Sequence, residues 1–94
     1  MAANQVLQKA LLLLDRGNLT QGEQEVRRAI AEAESEADDG TLITASCALG
    51  DLLVQLGRGE EAKPLLEQVI AKGHAHAQHA YEVRRASELL ADII

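Results

Sequence analysis

The sequence predicts an all-α fold built from helical hairpins, and composition and self-similarity are the observations that predict it. Tyr81 is the only aromatic residue among 94, and the 47% apolar content comes mainly from Leu, Ala, Ile and Val. Domains rich in β-strands draw on aromatic and β-branched residues, whereas Ala, Leu, Glu and Gln favour helix. The composition therefore favours helices throughout.

The chain resembles itself when it is shifted by 40 residues. At that offset Leu12-Leu13 falls on Leu52-Leu53, Gly17 falls on Gly57, and Ile30 falls on Ile70. A single offset that serves most of the chain indicates a tandem repeat, in which each copy packs against its neighbours. We expect repeat one at 4–36, repeat two at 41–73 and a C-terminal packing helix at 77–94, all within one domain spanning 1–94.

The first predicted hairpin joins a helix over about 4–15 to a second helix that begins at Thr20. Gly17 provides the turn because glycine adopts the left-handed conformation that ends helices. Thr20 and Glu23 have the spacing of a capping box, in which both side chains bond free amides at a helix start. The polar, acidic segment that follows, 34–40, is predicted to be a loop ending in the N-cap candidate Asp38-Asp39-Gly40.

The second hairpin repeats this plan, and one further helix follows it. Helices are expected over about 41–56 and 60–72, separated by Gly57-Arg58-Gly59, with Pro64 near the start of the later one. The fifth helix is expected from about Ala77 to the end of the chain. Its apolar residues recur at helical spacing, as expected for a helix with one buried face.

The segment from Leu49 to Ala62 resembles a tetratricopeptide repeat. Leu49-Gly50 in the first helix, Gly57 at the turn and Glu61-Ala62 opening the second helix stand at that family's relative spacing. The 40-residue period resembles the longer repeats of kinesin light chains. This resemblance implies an α-α superhelix of five helices that acts as a protein–protein interaction scaffold, without enzymatic activity or a cofactor.

In that family the first helix of each hairpin lines a concave groove where a peptide or helix of a partner protein binds. Transferred by the repeat offset, the resemblance implies a largely apolar groove in this chain. Its expected lining residues are Leu7, Leu11, Leu14, Thr44, Cys47, Asp51, Val54 and Arg84. The alternative interpretation assigns them no binding role: several of these side chains would simply pack against neighbouring helices.

Self-association is an alternative function. Leu89, Leu90, Ile93 and Ile94 end the sequence without a polar capping helix, and an open solenoid end exposes a surface meant for the next repeat. The chain would then form a homo-oligomer through its C-terminal helix.

His74, His76 and His79 form a weaker candidate, a metal site, because imidazole binds zinc or nickel. No carboxylate or second cysteine lies nearby in sequence to complete it, so a solvated loop is the simpler interpretation. Cys47 is interpreted as a small apolar filler.

Charge and cysteine content exclude other classes of function. The formal charge of −6 argues against a nucleic-acid partner, because binding phosphates needs a basic surface. The longest leucine-rich run, 10–14, is too short to span a membrane, and we expect no membrane partner. A single cysteine excludes an internal disulfide, and together with the lack of a leader pattern it favours a cytoplasmic location.

Overall fold

The computed structural model describes residues 2–93, which form five α-helices, one short 3-10 helix and no strand. The predicted all-α class is therefore confirmed, as is the number of helices. Ile94, one of the four residues predicted for self-association, lies outside the described residues. The helices are α1 (Ala2–Asp15), α2 (Leu19–Glu36), α3 (Asp39–Gln55), α4 (Gly59–Gly73) and α5 (Ala80–Ile93), with the 3-10 helix at Ala77–His79 before α5.

The helices pack in chain order around α3. Each α-helix packs against the next, and α3 also touches α1 and α5, so that it has neighbours on several sides. Its residues Ile43, Leu49 and Leu53 are among the largest side chains that are fully buried. A helix surrounded in this way is apolar over most of its circumference, rather than along one stripe.

The turns after α1 and α3 are built alike, 40 residues apart. Gly17 and Gly57 adopt positive φ angles of 83° and 76°. The amide after each glycine donates back to a helix carbonyl, Asn18 to Leu13 at 2.9 Å and Arg58 to Leu53 at 2.7 Å. This pairing satisfies carbonyls that a helix end leaves free, and the left-handed residue makes it possible.

The turn between α2 and α3 uses the same hydrogen-bond pattern without a glycine. Ala37 has a φ of 55°, and the amide of Asp38 donates to the carbonyl of Ala33 at 2.9 Å. The carboxylate of Asp38 then caps α3 by accepting from the amide of Thr41 at 3.1 Å and from its hydroxyl at 2.6 Å. These bonds from Thr41 lower the pKa of Asp38, and the predicted N-cap is confirmed.

The predicted acidic loop at 34–40 is wrong. α2 continues to Glu36 and α3 begins at Asp39, which leaves Ala37 and Asp38 as the whole connection. Glutamate is a good helix former, so an acidic segment is no obstacle to a helix whose other face is buried. The expected start of the fifth helix also shifts, since Ala77–His79 is a 3-10 turn and α5 begins at Ala80.

The predicted capping box of Thr20 and Glu23 is also wrong. α2 begins at Leu19, and the preceding Asn18 makes no side-chain cap. Glu23 instead accepts from both terminal nitrogens of Arg58, at 2.8 and 3.0 Å, and from Arg27. The bond from Arg58 is the main cause of the lowered pKa of Glu23. This carboxylate therefore ties α2 to the start of α4, a long-range partner that the local spacing could not reveal.

Replacing Ala37 by glycine is expected to raise the free energy of unfolding by about 1 kcal/mol, because a left-handed conformation strains an L side chain. The matched control is Ala31→Gly, at an exposed position in the interior of α2, which is expected to cost about 1 kcal/mol. Urea denaturation of both variants measures the two effects. Equal destabilisation by both would contradict the strain assigned to Ala37.

Candidate partner-binding face

Two adjoining depressions lie on the face formed by α1, α3 and α5. The first, about 550 Å³, is lined by Asn4 and Leu7 of α1, Asp38, Gly40, Thr41 and Thr44 around the start of α3, and His79. The second, about 200 Å³, is lined by Thr44, Cys47, Ala48 and Asp51 of α3 and by Tyr81, Glu82 and Arg85 of α5. Thr44 belongs to both linings, so the two depressions adjoin at this residue, and we call them together the groove.

Four of the eight predicted groove residues line this groove. Leu7 and Cys47 are buried and form parts of its floor, whereas Thr44 and Asp51 are half-buried on its walls. α3 supplies three of these four residues, because its position between α1 and α5 places it under the whole length of the groove.

The other four predicted residues lie elsewhere. Leu11 is exposed on α1 without lining either depression, and Leu14 and Val54 are half-buried against the core. Arg84 lines a separate depression with His74 and His76. The next residue, Arg85, lines the groove instead, because consecutive helical residues point about 100° apart.

Tyr81 and Glu82 line the groove but were not among the residues predicted from the sequence. Tyr81 is 63% exposed although it is the only aromatic side chain of the protein. The 40-residue offset did not point to either residue, because their equivalents, Thr41 and Leu42, were not among the predicted groove residues.

The groove carries more charge than predicted. Arg85 bridges α5 to α3 through two bonds to Asp51, at 3.2 and 3.4 Å, and these bonds are the main cause of its raised pKa. One oxygen of Glu82 lies 3.5 Å from Nδ1 of His79. The exposed lining of both depressions is mostly apolar, in keeping with the expectation, but it also includes acidic and basic residues.

Cys47 is a buried thiol beneath the second depression. Its sulfur lies 3.8 Å from the carbonyl oxygen of Glu82. Burial, with smaller contributions from the negative charges of Glu82 and Asp51, raises the pKa of Cys47 to about 11. The thiol is therefore protonated at neutral pH and lacks the thiolate that a reactive cysteine needs.

The three histidines do not converge on a common point. His74 is exposed, the rings of His76 and His79 meet edge to face with centroids 6.0 Å apart, and His79 faces Glu82. Among residues 2–93, no group of three His, Cys, Asp or Glu side chains is arranged to hold a metal ion.

Three of the four apolar residues predicted for self-association contribute to the core or pack against it. Leu89 is buried, and Leu90 and Ile93 are half-buried against the core. α5 exposes residues that are small, polar or charged, namely Ala80, Tyr81, Arg84, Ser87, Glu88, Ala91 and Asp92. Apart from Tyr81, the outward face of α5 is therefore formed by small, polar or charged residues.

Neither a family model, nor a curated protein, nor a solved structure matches the chain. Within residues 2–93, no helix combines the length and apolar character needed to cross a bilayer.

Proposed function

We propose that the chain is a tetratricopeptide-like scaffold that holds a segment of a partner protein in the groove. The observation that carries this proposal is that two depressions adjoin at Thr44, and that the mostly exposed Tyr81 lines one of them. A long open groove suits an extended or helical peptide better than a compact small molecule, which binds in a more enclosed cavity.

The close approach of α3 and α4 supports the tetratricopeptide resemblance. Gly50 lies directly against the side chain of Leu66, and Ala62 is fully buried. These are two of the small residues on which the sequence resemblance depends, and small residues at a helix crossing let two backbones come close. The odd-numbered helices α1, α3 and α5 line the groove, as first helices of successive hairpins do in that family.

Tyr81 supports protein binding on energetic grounds. Tyrosine is enriched among the residues that dominate the binding energy at protein interfaces. Its ring can bury a large apolar area while its hydroxyl can still form a hydrogen bond with water. An aromatic ring that is mostly exposed contributes little hydrophobic stabilisation to the monomer. Burying it beneath a partner would recover that hydrophobic energy.

The test blocks the groove at its centre. The full chain and its Thr44→Arg variant serve as baits for affinity capture, with partners identified by mass spectrometry. Thr20→Arg is the matched control, because it adds the same side chain at an exposed site outside the groove. Circular dichroism first establishes that both variants are folded.

We expect at least one partner to be retained by the wild type and by Thr20→Arg, and lost by Thr44→Arg. Retention of every captured partner by a folded Thr44→Arg variant would contradict the groove as the binding site.

A further inference from the structure

The second depression of the groove has the chemistry of a site for a cation. It is lined by Tyr81, Glu82 and Asp51 together with the small residues Ala48 and Cys47, and most of its exposed lining is apolar. A positive group is attracted to the face of an aromatic ring and to a carboxylate at the same time. An apolar floor suits the methylene groups that precede the charge in lysine and arginine side chains.

The charges in this depression do not cancel. Two acidic residues and one arginine are among the residues that line it, which gives this set a formal charge of −1. Arg85 is engaged by Asp51 through two hydrogen bonds and lies 3.5 Å from Glu88. Glu82 forms no ion pair with a lysine or arginine among residues 2–93, and its only partner of this kind is His79.

The position of Glu82 makes this imbalance significant. Its side chain is 19% exposed, so its carboxylate is partly removed from water without a permanent positive partner. A carboxylate in such surroundings is stabilised by a cation that enters from outside. Asp38, kept ionised by its bonds from Thr41, extends the negative potential into the first depression.

We infer that the depression lined by Tyr81, Glu82 and Asp51 anchors a lysine or arginine side chain of the segment bound in the groove. This inference rests on the proposed function and specifies its partner as a segment with a basic residue. The charge would pair with Glu82 while the aliphatic part of the side chain lies along Tyr81. An acidic segment is disfavoured, because it would meet like charges at Glu82, Asp51 and Asp38.

The experiment selects peptides and then removes the two anchoring groups separately. A random dodecapeptide library displayed on phage is selected against the full chain, and clones that also bind Thr44→Arg are discarded. The dissociation constants of the selected peptides are measured by fluorescence polarisation for Glu82→Gln, Tyr81→Leu and Tyr81→Phe. Glu67→Gln, on the exposed surface of α4 and outside the groove, is the control for loss of one negative charge.

We expect the selected peptides to share a lysine or arginine. Glu82→Gln should weaken their binding about fivefold and Tyr81→Leu about two- to fivefold, whereas Tyr81→Phe and Glu67→Gln should change it less than about twofold. Replacing the shared basic residue of the peptide by norleucine should abolish the effect of Glu82→Gln, because the two changes remove the same interaction.

Two results would overturn the inference, and they have different consequences for the proposed function. Peptides that require an open groove but lack a basic residue, or are insensitive to Glu82→Gln, would refute the cationic anchor and leave the proposed function intact. If every clone that binds the wild type also binds Thr44→Arg, or if no clone binds the wild type, both the groove and its anchor would be refuted as the site for a peptide.

Discussion

Replacement of Leu53 by alanine is expected to lower the free energy of unfolding by about 3–4 kcal/mol, the cost typical of a leucine truncated in a packed core. Leu53 is fully buried in the middle of the protein. Folded domains have a total stability of about 5–15 kcal/mol, so this single change would remove a large fraction of it. Urea denaturation followed by circular dichroism gives the difference.

Leu13→Ala is the matched control, because Leu13 occupies the equivalent position 40 residues earlier. Leu13 is half-buried, since α1 lies at one side of the bundle whereas α3 is covered on several sides. Its truncation should cost about 1–2 kcal/mol, because less apolar surface is lost from the core. Equal costs at the two positions would show that α3 is not the centre of the core.

Gly50→Ala is expected to destabilise the protein by about 2–3 kcal/mol, although alanine is the better helix former, because overpacking a core is costly. A Cβ atom at Gly50 would lie 2.5 Å from Cδ2 and 2.9 Å from Cγ of Leu66. Leu66 is fully buried and has little room to move away. The new methyl group would therefore push α3 and α4 apart.

The sign of this effect should reverse when Leu66 is already alanine. In that background the clash is gone, and Gly50→Ala should stabilise the protein by up to about 1 kcal/mol through helix propensity. Gly40→Ala in the same helix is a second control, because its Cβ would meet nothing closer than 3.7 Å. A double-mutant cycle measured by urea denaturation tests the coupling, and additive effects at positions 50 and 66 would exclude the direct clash.

The fold class was predictable because its signals are local. Apolar spacing along each helix and glycines at 17 and 57 report on residues within a few positions of one another. The errors in the predicted helix boundaries arose where a local sequence rule disagreed with the packing of the helix against its neighbours. The acidic residues after Ala33 looked like a loop, yet α2 continues through them to Glu36.

The candidate site was predictable only in part. The 40-residue offset correctly identified Thr44, Cys47 and Asp51 as groove residues. All three lie on α3, which contributes residues to both depressions. The repeat offset selected Arg84 rather than Arg85, because an offset of one residue rotates a side chain by about 100° and no local pattern fixes that rotation. Glu82 could not be found from the repeat, since its equivalent, Leu42, does not line either depression.

The sequence by itself determined that the chain is helical, where most of its turns fall and that an N-cap for α3 lies within Asp38-Asp39-Gly40. Those properties depend on backbone propensities and on hydrogen bonds between near neighbours. Only the tertiary structure decided that Glu23 binds Arg58, that Leu89 faces inward and that Tyr81 and Glu82 share a depression with Asp51. These contacts depend on how each helix is rotated and placed against the others, which is set by packing among residues far apart in the chain.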